Sequence, residues 1–309
     1  MKPLERFASS AKNITQENLE ANLPEIKSTD EMKDLHDTFL YMQKSLVTSL
    51  SELKDTKEIK EKLQQQLNTA HQIQRGMLPQ TSSTQFECPE VNLFATIKPS
   101  EDIAKDFIDF SILNQKLYFT IGSVSAKGIS AALFTTLTKL LFRNEIGKST
   151  SPDKIISHLN DKVAKMENKD LFMNMFIGIF ELKSGILQYC NAGNTPPAII
   201  SPDGIASLLD IGENPPIGLK RESTFTSKQI FLVPQTKICC YTEGLIEIGN
   251  ANNQLYTPKK LLRTLSNKRQ YGAEQIAANI IKTISEHSTS NEAEKDQSIL
   301  IIHYKNQAS

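Results

Sequence analysis

The histidines and cysteines of this sequence are not arranged as a metal site or as a nucleophilic catalytic site. The histidines show no spacing typical of metal ligands; they are His36, His71, His158, His287 and His303. The cysteines are scattered, which favours buried thiols in a reducing cytosol; they are Cys88, Cys190, Cys239 and Cys240. A zinc site and histidine-based nucleophilic catalysis therefore have no support.

Several short motifs combine glycine, proline, hydroxyl and charged residues. In chain order they are AHQIQRGMLP at 70–79, AKDFID at 104–109, GSVSAKGISAAL at 122–133, CNAGNTPP at 190–197, PPIGL at 215–219, YTEGLIE at 241–247 and KDQSILII at 295–302. Each motif alone is also compatible with an ordinary turn or tight helix packing, because glycine and proline favour turns in any β protein. The occurrence of all these motifs in this order is the informative feature of the sequence.

The elements that position these motifs begin after Pro79, where β-type runs separated by glycine and proline take over. The predicted strands are 91–97, 107–113, 116–121, 173–182, 185–191, 198–201, 225–233, 237–241 and 298–304. The predicted helices are 130–145, 152–166, 258–266 and 273–287. Runs of strands with helices inserted in pairs favour an α+β fold in which sheet packs on sheet with helices outside.

The first 80 residues have a different pattern, with apolar residues at helical spacing and no glycine before Gly76. One stripe lies in residues 4–14, a second in 32–53, and the stripe resumes to Met77. An apolar face this narrow does not stabilise a monomeric helix. We therefore expect a parallel homodimer through the N-terminal helices. Residues 54–79 are predicted as a coiled-coil signalling helix.

Composition limits the classes of function. Lys plus Arg equals Asp plus Glu at 35 each among 309 residues, so no net positive field favours nucleic acid, and we expect no nucleic-acid partner. No apolar run is long enough to span a membrane, so we expect this chain to be soluble and cytoplasmic. The helical pattern that starts at once after Pro3 suggests that a segment precedes it.

The motifs give the sequence its resemblance to known families. Residues 1–53 resemble a HAMP domain, with Pro3 near the start of one helix and the acidic pair Asp30 and Glu31 opening a second; a plain dimerising coiled coil is the alternative. Residues 70–304 resemble the SpoIIE/RsbU branch of the metal-dependent (PPM) serine/threonine phosphatases, and the predicted phosphatase domain is 80–309. The resemblance implies an α-β-β-α sandwich, and a place at the cytoplasmic face of the inner membrane for the full-length protein.

The resemblance also implies where metal ligands stand. In that family carboxylates bind Mn²⁺ or Mg²⁺, which activate water and relieve phosphoryl charge. The matching positions here are Asp106, Ser123, Glu243 and Lys295. The motif residues carried over with them are Val124, Gly128, Gly193, Asn194 and Gly244.

Two of the four ligand positions keep a carboxylate. Asp106 is unchanged and Glu243 is longer, whereas Ser123 is neutral and Lys295 is a cation; formal charge falls from −4 to −1, counting −1, −1 and +1. A one-residue slip of the alignment would make Asp296 the ligand instead of Lys295. Pairing of Asp106 with Lys105 or Lys295 is one expected consequence.

These changes predict a pseudophosphatase that acts by binding a partner. The alternative is an active Mn²⁺- or Mg²⁺-dependent phosphatase for an anti-sigma-factor antagonist. The cofactor is accordingly Mn²⁺ or Mg²⁺ if a metal binds, or none. The expected partner is a phosphorylatable regulatory protein resembling an anti-sigma antagonist, or a kinase-like protein. No catalytic residue is assigned.

Overall fold

The computed structural model describes residues 83–305, except 101–103, 127, 150, 167–170, 253 and 289–294, and scattered positions between 33 and 48. The chain divides into two compact units, Met1–Asn68 and Thr69–Ser309. In the first unit the described positions are helical, in agreement with the helix predicted there. The predicted HAMP-like domain 1–53 and the predicted signalling helix 54–79 otherwise lie outside the described residues.

The second unit contains eleven strands and four α-helices among the described residues. The strands are β1 (Ser83–Glu87), β2 (Val91–Lys98), β3 (Asp106–Leu113), β4 (Lys116–Val124), β5 (Met173–Glu181), β6 (Ile186–Ala192), β7 (Ala198–Ile200), β8 (Ala206–Leu208), β9 (Lys228–Phe231), β10 (Lys237–Tyr241) and β11 (Gln297–Tyr304). The helices are α1 (Gly128–Glu145), α2 (Pro152–Val163), α3 (Pro258–Leu265) and α4 (Ala273–His287).

The strands form two antiparallel sheets. The first sheet has the order β1-β2-β11-β10-β7-β8 and the second has the order β3-β4-β5-β6-β9. The central strand β5 is apolar on both faces, because it packs on the other sheet through Phe176 and on helices through Met175 and Ile177. A strand that is buried on both faces has a nearly continuous apolar sequence, and the sequence of β5 has this character.

Helices cover the outer face of each sheet. Phe142 of α1 and Leu159 of α2 pack against the second sheet. Leu261 of α3 and Ile280 of α4 pack against the first. The result is the α-β-β-α layering that the sequence predicts, a mixed α/β fold with three apolar layers between its four layers of elements.

The structure corrects several boundaries. Strands β1 and β8 were not predicted: β1 is a largely polar edge segment, and β8 has only three residues, so neither shows a clear apolar run. The strand expected at 225–233 is shorter because only Lys228–Phe231 pairs with β6. The helix expected at 152–166 ends in a 3-10 turn, Ala164–Met166.

No helix among the described residues has the length and apolar character needed to cross a membrane.

Candidate functional site

Four chain segments meet at one end of the sandwich because of how the strands pair. The antiparallel pairing of β3 with β4 places Asp106, at the start of β3, opposite Ser123, near the end of β4. The pairing of β10 with β11 places the segment that leaves β10 beside the segment that enters β11, where Thr242 N donates to Ser298 O at 3.2 Å. Thr242 and Ser298 both contact Asp106, so segments from the two sheets lie together.

Asp106 is a buried carboxyl among hydroxyl groups. Its Oδ2 accepts hydrogen bonds from Thr242 Oγ1 at 2.6 Å and from Ser298 Oγ at 2.8 Å. Burial is the largest cause that raises the pKa of Asp106 to about 7, and the charge of Asp296 acts in the same direction. Hydrogen bonds from Ser123, Thr242 and Ser298 act to lower that pKa without offsetting the rise.

Asp296 is also buried, and its carboxylate binds backbone amides. Oδ1 accepts from the Ser100 amide at 2.8 Å and from its hydroxyl at 2.9 Å. Oδ2 accepts from the amides of Lys105 at 2.5 Å and Asp106 at 3.0 Å. The lone pairs of this carboxylate are thus engaged in holding the chain that leads into β3.

Glu243 is paired with a lysine. Lys295 Nζ lies 2.8 Å from Glu243 Oε2 and also contacts Glu247 Oε2. Hydrogen bonding from Lys295 holds the pKa of Glu243 below its usual value. Partial burial acts to lower the pKa of Lys295, but the two carboxylates outweigh it and raise that pKa. Because these are the ion pairs of Lys295, the expected pairing of Lys295 with Asp106 is wrong.

The motif glycines allow close approaches around this cluster. Gly193 has a φ of +79°, and a Cβ there would lie 2.6 Å from Asn174 Oδ1. In the same turn Asn194 Nδ2 donates to Tyr241 O at 3.3 Å, which fixes the turn to the end of β10. A Cβ at Gly244 would overlap the carbonyl oxygen of Asp296.

The other two motif residues lie where the chain passes from strand to helix. Val124 is buried at the end of β4, and its amide donates to Lys105 O at 3.1 Å. Gly128 is the first residue of α1. Together they carry the chain away from Ser123 and into the helix that covers the second sheet.

The donors present do not fit a pair of divalent ions. Two-metal sites need several carboxylates facing one cavity, and in the part of the chain that the structure describes no three His, Cys, Asp or Glu residues are grouped so as to hold a metal. Asp106 is bound by hydroxyls, Glu243 by an ammonium, and Asp296 by backbone amides.

Sequence reasoning missed four residues of this cluster. Thr242 and Ser298 lie inside the quoted motifs YTEGLIE and KDQSILII, but only the folded chain shows that both hydroxyls bind Asp106. Glu247 is the last residue of YTEGLIE, four residues after Glu243, and that spacing is the one signal available for it. Ser100 binds Asp296 across the fold and has no sequence signal.

Comparison with known proteins agrees with this architecture. The two packed sheets with outer helices have the fold of solved PP2C-type phosphatase domains. The family model "Stage II sporulation protein E (SpoIIE)" matches residues 114–305, more than half of the chain, and the chain therefore belongs to the SpoIIE family.

Two curated relatives are similar over much of the chain. Protein IcfG of Synechocystis sp. is 25% identical over 292 residues, which is 85% of this chain and 44% of IcfG. The phosphoserine phosphatase RsbU of Bacillus subtilis is 20% identical over 226 residues, which is 73% of this chain and 66% of RsbU. The chain thus spans less than two thirds of the length of both relatives.

Solved structures show the same fold. The SiaA-PP2C domain of Pseudomonas aeruginosa has a TM-score of 0.65 at 16% identity, covering 80% of this chain and 99% of that domain. The RsbU and RsbW domains of a Mycobacterium tuberculosis protein give a TM-score of 0.63 at 18% identity, covering 72% of this chain and 63% of the other.

Two further neighbours of this fold were solved with metal ions. RsbX in complex with magnesium has a TM-score of 0.55 at 16% identity, covering 72% of this chain and all of RsbX. The catalytic domain of PstP in complex with two manganese ions has a TM-score of 0.52 at 9% identity, covering 70% of this chain and 99% of that domain. Magnesium and manganese are the ions that the sequence analysis named.

Proposed function

We propose that the SpoIIE-family domain of this chain is a pseudophosphatase, which keeps the phosphatase fold and acts by binding a partner protein. One observation carries the proposal: Glu243, one of the two carboxylates left at ligand positions, is neutralised by Lys295 at 2.8 Å. The other, Asp106, is buried and bound by two hydroxyls. A divalent ion would have to displace a cation already seated there, and like charges at such distances repel.

The partner that this proposal favours is a phosphorylatable regulatory protein resembling an anti-sigma antagonist, or a kinase-like protein, in a partner-switching pathway. A solved neighbour that contains RsbU and RsbW domains in one protein supports it. The described residues keep two packed sheets with outer helices around the altered site, so a surface that recognises such a partner can persist without catalysis.

The N-terminal region is proposed to link this domain to an upstream signal. A HAMP-like domain at 1–53 and a coiled-coil helix at 54–79 would form a parallel homodimer and place the output domain at the cytoplasmic face of the inner membrane. The apolar stripe in residues 32–53 supports dimerisation, because a narrow apolar face is stabilised by a second helix.

Hydrolysis assays test the proposal directly. With Mn²⁺ or Mg²⁺ in millimolar excess, we expect no turnover of p-nitrophenyl phosphate or of a phosphoserine protein above background. Bacillus subtilis RsbU serves as the positive control under the same conditions. Turnover that a chelator abolishes would refute the pseudophosphatase reading. The same chain should capture an unphosphorylated or phosphorylated antagonist-type protein in a binding assay.

The second candidate is an active metal-dependent phosphatase for an anti-sigma-factor antagonist. Two observations favour it: Asp106 and Glu243 remain carboxylates, and one relative is named a phosphoserine phosphatase. In this case the Lys295 ammonium would have to leave Glu243 when a metal binds. The hydrolysis assay separates the two functions.

A further inference from the structure

A lysine side chain joins two segments of the site that are distant in sequence. Glu243 begins the 3-10 turn Glu243–Leu245 that follows β10, and Glu247 lies just beyond that turn. Lys295 stands two residues before β11. Its ammonium contacts both carboxylates, so it connects the segment after β10 to the entry of β11.

The next residue makes the corresponding connection on the other side. Asp296 accepts hydrogen bonds from the amides of Lys105 and Asp106, which lead into β3. Two adjacent residues, one cationic and one anionic, thus hold separate segments around the same cluster. In a metal-loaded two-ion site, carboxylates from separate segments are joined by sharing cations.

The packing at Gly244 shows how closely the two segments approach. A Cβ at this position would overlap the carbonyl oxygen of Asp296 and lie 2.9 Å from Lys295 Cβ. The segment after β10 therefore lies directly against the backbone of Asp296 and the first side-chain carbon of Lys295. An ammonium has three donors, which suffice for two carboxylates at this range.

We propose that Lys295 acts as an internal cation: its ammonium holds the segment 243–247 to the start of β11, so that the order of this segment does not depend on a divalent ion. The inference deepens the proposed function, because it states what takes the place of the metal in a pseudophosphatase. A partner would then meet one fixed surface here, whatever the concentration of divalent ions.

Amide hydrogen exchange of the segment provides the test. Three amides report on it: Leu245 N donates to Thr242 O, and Ile246 N and Glu247 N both donate to Glu243 O. In wild type we expect the same exchange rates with a chelator and with millimolar MnCl2. Lys295→Met keeps an unbranched side chain, one atom shorter, and removes the charge. In this variant we expect these amides to exchange roughly two- to fivefold faster, the range that a partly exposed ion pair supports.

A matched control removes another exposed lysine. Lys282 pairs with Glu286 one helical turn away on α4, so Lys282→Met should leave the three amides unchanged. If Lys295→Met fails to fold, Glu247→Gln removes one acceptor and should give a smaller acceleration. If the three amides exchange equally fast in wild type and in Lys295→Met, or in Glu247→Gln where that variant is used instead, the internal-cation proposal is overturned. A gain of protection in wild type on adding MnCl2 would overturn it as well.

The experiments distinguish failure of the internal-cation proposal from failure of the pseudophosphatase proposal. Chelator-sensitive phosphatase turnover by wild type would refute the pseudophosphatase, whatever the exchange rates are. Unchanged exchange in Lys295→Met with no turnover in wild type would refute the internal cation alone.

Discussion

The buried carboxyl of Asp106 should make the stability of this domain depend on pH. Its pKa is raised from 3.8 to about 7, chiefly by burial. The folded state therefore keeps a proton between about pH 4 and pH 7 that the unfolded chain has lost, so wild-type stability should fall as pH rises through that window. Asp106→Asn removes the titration and keeps an oxygen that accepts from Thr242 and Ser298.

The size of the effect follows from the two pKa values. Between pH 5 and pH 8 the wild type should lose roughly 2–3 kcal/mol of unfolding free energy through Asp106, relative to a side chain that does not titrate. Solvent does not reduce this change in unfolding free energy by screening, because the Asp106 residue is 2% exposed. For a domain of this size the change corresponds to roughly 5–10 °C in Tm.

Thermal melts of both proteins from pH 5 to pH 8 measure this effect. As pH rises from 5 to 8, the Tm of Asp106→Asn should increase relative to that of wild type by roughly 5–10 °C. Asp161→Asn is the control, because Asp161 is an exposed residue of α2 and its replacement should leave the pH profile of wild type unchanged. Parallel profiles for wild type and Asp106→Asn would show that Asp106 titrates normally and would refute the reasoning.

Three further predictions concern packing, an ion pair and assembly. Gly244→Ala should lower the unfolding free energy by about 1–3 kcal/mol, because its Cβ overlaps Asp296 O; an unchanged Tm would contradict this. Arg143→Ala leaves the buried Asp109 without its two-point partner and should cost about 1–3 kcal/mol, reduced because the arginine is half exposed, with Arg143→Lys intermediate in denaturant titrations. Deleting residues 1–77 should leave a folded domain, and the full chain should sediment as a dimer at tens of micromolar; a monomer would contradict the dimer.

Much of the fold was predictable because its strands carry strong patterns. The segments that became β2, β10 and β11 were placed to within a residue or two, since each is a distinct apolar run bounded by turn residues. The elements that sequence analysis missed, β1 and β8, are edge segments whose order comes from pairing with a neighbour, which no local pattern records.

The site was predictable in part. The family motifs indicated which positions to compare, and the structure brings Asp106, Ser123 and Thr242 together at one end of the sandwich. The roles of Lys295 and Asp296 were not predictable, because adjacent residues in an extended chain point to opposite sides and only the surrounding fold decides what each meets. The assignment of four positions to one former metal site stays a prediction.

Titration calorimetry with Mn²⁺ tests the central claim most directly. The triple variant Ser123→Asp, Glu243→Asp and Lys295→Asp should restore four carboxylates, bind Mn²⁺, and regain on adding the ion the melting temperature that charge repulsion lowers. Wild type should show no saturable binding in the millimolar range. Saturable binding of Mn²⁺ by wild type, abolished by Asp106→Asn, would contradict the account.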